Sequence, residues 1–144
     1  MKRILVFLFL ASICFGQSIP NKIGNLSKIE FEKWVKQMNF DGFKFAMFSH
    51  ETDSFQTGFI KGQNTITILA SLDDGSYKDD MMKKMNYTVY ERKGYKHFYI
   101  AYPELSSTTI LLPKYKVLFS VGLQGKSTKE NLDKLIDQTK VYEK

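Results

Sequence analysis

The apolar positions of this chain change period along its length, and each change marks an element. Phe31, Trp34, Val35 and Met38 recur at i, i+3, i+4 and i+7, which places them on one stripe of a helix. Ser27 and Glu30 have the spacing of a capping box at its start, with Leu26 and Phe31 placed as a hydrophobic staple. From Phe43 the period becomes two: Phe43, Phe45 and Met47 face one way, Lys44 and Ala46 the other. This predicts a first strand, a polar turn over residues 49–53, and strands over 55–60 and 65–72. Ser76 is placed to cap a short helix through Met85, whose apolar side carries Tyr77, Met81, Met82 and Met85. Residues 87–92 and 95–102 flank Lys93-Gly94 as a hairpin, and 108–112 form a short strand closed by Pro113. Tyr115, Val117, Phe119, Val121 and Leu123 then alternate with polar or small residues, the cleanest half-buried strand in the chain. A second capping box at Ser127 and Glu130 opens a closing helix striped by Leu132, Leu135, Ile136 and Thr139. The order predicts an α+β domain: an antiparallel sheet of about six to seven strands in two meanders, N- and C-terminal helices packed on it, and a short helix between the meanders.

The first sixteen residues stand apart from this periodic body. Met1-Lys2-Arg3 is a positive start, and the apolar run from Ile4 to Phe15 falls short of the ~20 residues that a spanning helix needs. Together they predict a signal peptide over 1–16, cleaved after Gly16, then a flexible leader over 17–25 and a single domain over 26–144. Cleavage before Cys14, with lipid on that cysteine and an outer-membrane address, is the second reading. Bulky Ile13 directly before Cys14 fits the lipoprotein pattern poorly. The expected location is therefore the periplasm or the medium, with membrane contact only if Cys14 is lipidated.

Composition adds restrictions rather than an activity. The chain has 144 residues and a formal charge of +6, to which Lys2 and Arg3 contribute. A mild basic balance on an exported chain argues against a nucleic-acid partner. Cys14 is the only cysteine and there are two histidines, His50 and His97, so a zinc site of His and Cys ligands is not expected, nor is any cofactor. Asp73, Asp74, Asp79 and Asp80 are the best acidic cluster and a candidate calcium site, but they lack the alternating ligands of a calcium loop. A turn followed by a helix start explains the same four residues.

Aromatic side chains make up 15% of the chain, and tyrosines crowd the second hairpin. Alternation puts Tyr95, His97 and Tyr99 on one strand face, and Tyr90 lies on the neighbouring strand. If that face is open, the four form a ring-lined patch for a protein partner. If the ligand is instead a sugar or an apolar molecule held between helix and sheet, Trp34, Phe45, Met81 and Met85 are the candidate lining.

At the level of plan the chain resembles small uncharacterised secreted proteins of Bacteroidetes-type bacteria. The resemblance rests on Phe15-Gly16-Gln17 at the end of the signal peptide, the early amphipathic helix, and the strand through Ser120-Val121-Gly122 that leads to the helix at Leu132 and Leu135. It implies export in a Gram-negative bacterium and no particular activity. The sequence reading is thus an exported, non-enzymatic interaction or accessory domain that binds an envelope protein. A small-ligand binder comes second and a hydrolase a distant third.

Overall fold

The computed structural model describes residues 21–144. The signal peptide, its cleavage site and Cys14 lie outside the described residues. Two short strands, β1 (Lys22–Ile23) and β2 (Leu26–Ser27), form a hairpin before α1 (Lys28–Val35). The chain continues through β3 (Lys44–Glu51), β4 (Ser54–Lys61), β5 (Asn64–Leu72), α2 (Asp79–Lys84), β6 (Thr88–Arg92), β7 (Tyr95–Ala101), β8 (Leu105–Leu112), β9 (Val117–Gln124) and α3 (Lys129–Gln138). It closes on a 3₁₀ turn, Val141–Glu143.

The large sheet has seven strands in the order β3-β4-β5-β9-β8-β7-β6, every neighbouring pair antiparallel. After the first meander the chain crosses to the far edge by way of α2. The second meander then returns until β9 lies against β5. This is the predicted α+β architecture.

Register shows which residues share a face. Phe55, Thr57 and Phe59 of β4 oppose Ala70, Ile68 and Ile66 of β5, which oppose Phe119, Val121 and Leu123 of β9. The same face continues into Ile110 and Thr108 of β8, then His97 and Tyr99 of β7, then Tyr90 and Thr88 of β6. Both α1 and α3 pack on this one face. Phe31 of α1 lies against the rings of Phe55 and Phe48, at 5.6 and 5.9 Å between centroids, and Trp34 stacks on Phe119 at 4.6 Å. The indole N–H of Trp34 donates to the Thr139 carbonyl at 2.6 Å, tying α1 to the end of α3. Among the described elements only the short α2 packs on the other face, through Met82 and the nearby Tyr77, whose ring meets Phe98 edge-on at 5.2 Å.

Three local readings are corrected. Residues 21–25 are not a loose leader: Ile23 and Leu26 are buried in the core and Asn25 N donates to the Tyr115 carbonyl at 2.7 Å. Gly24 makes this approach possible, since it has a φ of +55° and any Cβ would collide with the Tyr115 and Lys116 carbonyls. The polar residues Ser49, His50 and Glu51 extend β3 instead of forming a turn, because hydrogen bonding to β4 continues to Ser54. Finally, α3 is capped one residue later than predicted. Thr128, not Ser127, accepts from Asn131 N at 3.2 Å, while Ser127 N donates to Ser106 Oγ. The capping box on α1 forms as read, with Ser27 and Glu30 bonded reciprocally at 2.9 and 3.1 Å.

Candidate functional site

Where α3 covers β6 and β7, the core changes from hydrocarbon to a polar network. Alternation on β7 turns Tyr95, His97 and Tyr99 toward α3, and alternation on β6 does the same for Tyr90 and Arg92. From the other side, Asp133 and Asp137 sit one turn apart on α3, and the closing 3₁₀ turn adds Tyr142. Tyr90 donates to Asp133 Oδ1 at 2.6 Å. Arg92 grips Asp137 with two bonds, Nη1 to Oδ1 at 2.8 Å and Nη2 to Oδ2 at 2.6 Å, in the geometry that favours arginine over lysine.

The partners of His97 fix the tautomer of its neutral ring. Nδ1 lies 2.9 Å from the Tyr95 carbonyl, which can only accept, so Nδ1 carries the hydrogen. Nε2, 2.7 Å from the Tyr142 hydroxyl, is then the acceptor of the neutral ring. Arg92 Nη1 donates to the Tyr142 oxygen at 2.8 Å, leaving the phenolic hydrogen free for His97. Protons are therefore ordered along one line, from Arg92 to Tyr142 to His97 to a backbone carbonyl. Burial pushes the His97 pKa below its ordinary value, the Tyr95 carbonyl and Asp133 opposing, so the ring is held neutral. Burial first and the Asp133 bond second raise Tyr90, and the Arg92 fork holds Asp137 below the usual carboxylate range.

This arrangement ties β6 and β7 to α3 and the closing turn. The line of protons ends on a carbonyl that has none to pass on, and His97 is 0% exposed, out of reach of a substrate proton. Thr108 Oγ1, in the same layer, is buried and close enough to influence Tyr90, yet has no hydrogen-bond partner of good geometry. Lys129 lies over the Tyr90 ring at 4.6 Å and closes the outer side of the network.

The sequence candidates can now be placed. Tyr90, Tyr95, His97 and Tyr99 do come together, but beneath α3 instead of on an open face: Tyr99 reaches across to the Ser127 carbonyl at 2.5 Å and the other three belong to or adjoin the network. The open face on which a ring-lined surface patch depended is not there, because the second helix lands on the same face as the first. Trp34, Phe45, Met81 and Met85 do not meet. Trp34 is core, Phe45 stands 56% exposed on the edge strand, and the two methionines are exposed across the sheet, Met81 on α2 and Met85 at its end. Met81 lines an open surface hollow of about 430 Å³ with Lys78, Asp79, Asp80 and Lys84. The four aspartates also diverge. Asp73 and Asp74 accept from Gly75 N and Ser76 N within their own turn, and Asp79 pairs with Lys96 at 2.8 Å. Among the described residues no group of carboxylates, histidines or cysteines is placed to hold a metal ion.

Sequence reasoning missed Arg92, Asp133, Asp137 and Tyr142. The available signal was Asp133 and Asp137 at i and i+4 beside the apolar stripe of α3, a spacing that puts both on the flank of the buried face. What it lacked was the partner, since the contacts from Tyr90 and Arg92 span 43 to 50 residues.

The second sheet face is the accessible one. Over β4, β5, β9 and the adjoining part of β8 it presents Gln56, Thr65, Thr67, Leu69, Ser107 and Ser120, all partly exposed, with Ile60 and Leu105 each 44% exposed at its margins. No described helix covers this part. Comparison of the chain with protein-family models, with curated proteins and with solved structures finds no match.

Proposed function

We propose that the chain is an exported, non-enzymatic interaction domain of the bacterial envelope, and that its partner protein docks on the uncovered sheet face around Thr67, Ser107 and Ser120. One observation carries this reading. Among the described elements both long helices pack on one face, and over β4, β5, β9 and part of β8 the other presents hydroxyl, amide and leucine side chains, a mixture suited to a contact that is polar, partly wet and separable. The closed proton line at His97 supports a structural role for the strongest titratable cluster. Export rests on the charged and apolar residues before Gly16. No described helix is long and apolar enough to cross a membrane.

The test is a photo-crosslinking residue in place of Thr67, compared with one in place of Gln138 on the outer side of α3, in cells exporting the full sequence. A discrete adduct to an envelope protein from position 67 and none from position 138 is expected. Equal adducts from both positions, or none from 67, would remove the assignment to this face. Recovery of the chain in the cytoplasm with residues 1–16 still attached would overturn the export half.

A further inference from the structure

β3 is the barer of the two sheet edges. It has eight residues against five for β6; neither strand has a buried residue, but among the described elements β6 is flanked by α2. Its only irregularity is a bulge: Phe45 pairs with Phe59 and Met47 with Gly58, leaving Ala46 without a partner in β4. Because of this extra residue Phe45, Phe48 and His50 point to the helix-covered face, opposite Phe59, Thr57 and Phe55. Lys44, Met47, Ser49 and Glu51 point to the open face, opposite Ile60, Gly58, Gln56 and Ser54.

We infer that β3 is a self-pairing edge, joining a second copy of this chain antiparallel about a two-fold axis through Phe48. Leaving Ala46 out of register on both strands, as it is against β4, sets Phe48 opposite Phe48, Met47 opposite Ser49, Phe45 opposite His50 and Lys44 opposite Glu51. Each pair then shares a face, as antiparallel neighbours must. Without the bulge the same axis would bring Lys44 against Thr52 and Phe45 against Glu51. The bulge thus turns a mismatched edge into a charge-complementary one, with a Lys44 to Glu51 pair at each end. Glu51 also engages its own chain, so each end pair adds to a contact that this carboxylate already makes. Phe45, 56% exposed, gains a cross-strand aromatic neighbour, and the contact is isologous and closed, giving one continuous sheet across two copies.

Light scattering after gel filtration of protein expressed from the full sequence tests this. The mass should rise to twice that of one chain with concentration. Lys44→Glu and Glu51→Lys should each weaken self-association about tenfold, since each leaves like charges facing at both ends. An equimolar mixture of the two variants should associate again, because every end pair is then complementary. A second arm is positional: Phe48→Cys lies on the axis and should cross-link to its own copy on oxidation, whereas Ser49→Cys, opposite Met47, should not. A single-chain mass at every concentration overturns the proposal and leaves the edge to a strand of another protein. Unaltered association of both charge variants, or a mixture that fails to associate, overturns it equally.

Discussion

Beneath α1 the sheet meets its helix through stacked rings, Phe31 on Phe55 and Trp34 on Phe119; beneath α3 the same face meets its helix through Tyr90, His97, Arg92 and two aspartates. The first contact is non-directional, stabilised roughly in proportion to buried apolar area and tolerant of small shifts. The second is directional. Each donor has one acceptor, the histidine has one tautomer, and a single loss leaves a buried group unpaired. The difference teaches that a cluster of histidine, tyrosine, arginine and aspartate with displaced pKa values need not be a reacting site. Where the proton line is closed and buried, it locks a helix and a terminal turn in register.

The largest effect should come from the apolar half. Trp34→Ala removes the ring stacked on Phe119 and the donor to the Thr139 carbonyl, a loss of about 3–5 kcal/mol that urea unfolding followed by circular dichroism would register. A loss below about 1 kcal/mol would mean that the two halves do not differ as described.

The polar half is distinguished by pH. His97 is buried neutral and its pKa lies below the ordinary value of 6.5, so between those two values the unfolded chain binds a proton that the native one does not. Stability should therefore fall as pH drops below about 6.5, by at most ~1.4 kcal/mol per pH unit, and stop falling once the native ring protonates. Asp137 and Glu30, held below the ordinary carboxylate range by Arg92 and by Ser27, lose their contributions only at more acidic pH, as it falls through their ordinary values of 3.8 and 4.5. His97→Phe should be less stable at neutral pH and show no such slope just below about pH 6.5; an unchanged slope would assign the titration elsewhere.

Most of the fold was legible because its signals are local. The periods at Phe31 to Met38 and Val117 to Leu123 each name an element without reference to the rest of the chain. The Ala46 bulge was not legible, since Phe43, Phe45 and Met47 alternate perfectly on paper and only pairing with β4 reveals that Phe48 takes over the inner face. The choice of face for α3 was hidden for the same reason. Nothing within residues 95–99 says whether a helix some thirty residues later will land on them, so whether that face is open could not be read from the strand itself.

The smallest effect separates sequence spacing from geometry at the start of α3. Ser127 and Glu130 have capping-box spacing, yet Thr128 Oγ1 takes the Asn131 N–H, and the Ser127 backbone is occupied at both ends, by Ser106 Oγ and by the Tyr99 hydroxyl. Thr128→Ala should cost about 1 kcal/mol, the usual loss of a cap, whereas Ser127→Ala should change stability by no more than ~0.5 kcal/mol because its side chain caps nothing. The reverse order in thermal melts would restore the spacing argument and shift α3 by one residue. That shift would carry Asp133 and Asp137 about 100° around the helix, away from Tyr90 and Arg92, so this minor pair of substitutions also tests the register on which the polar half depends.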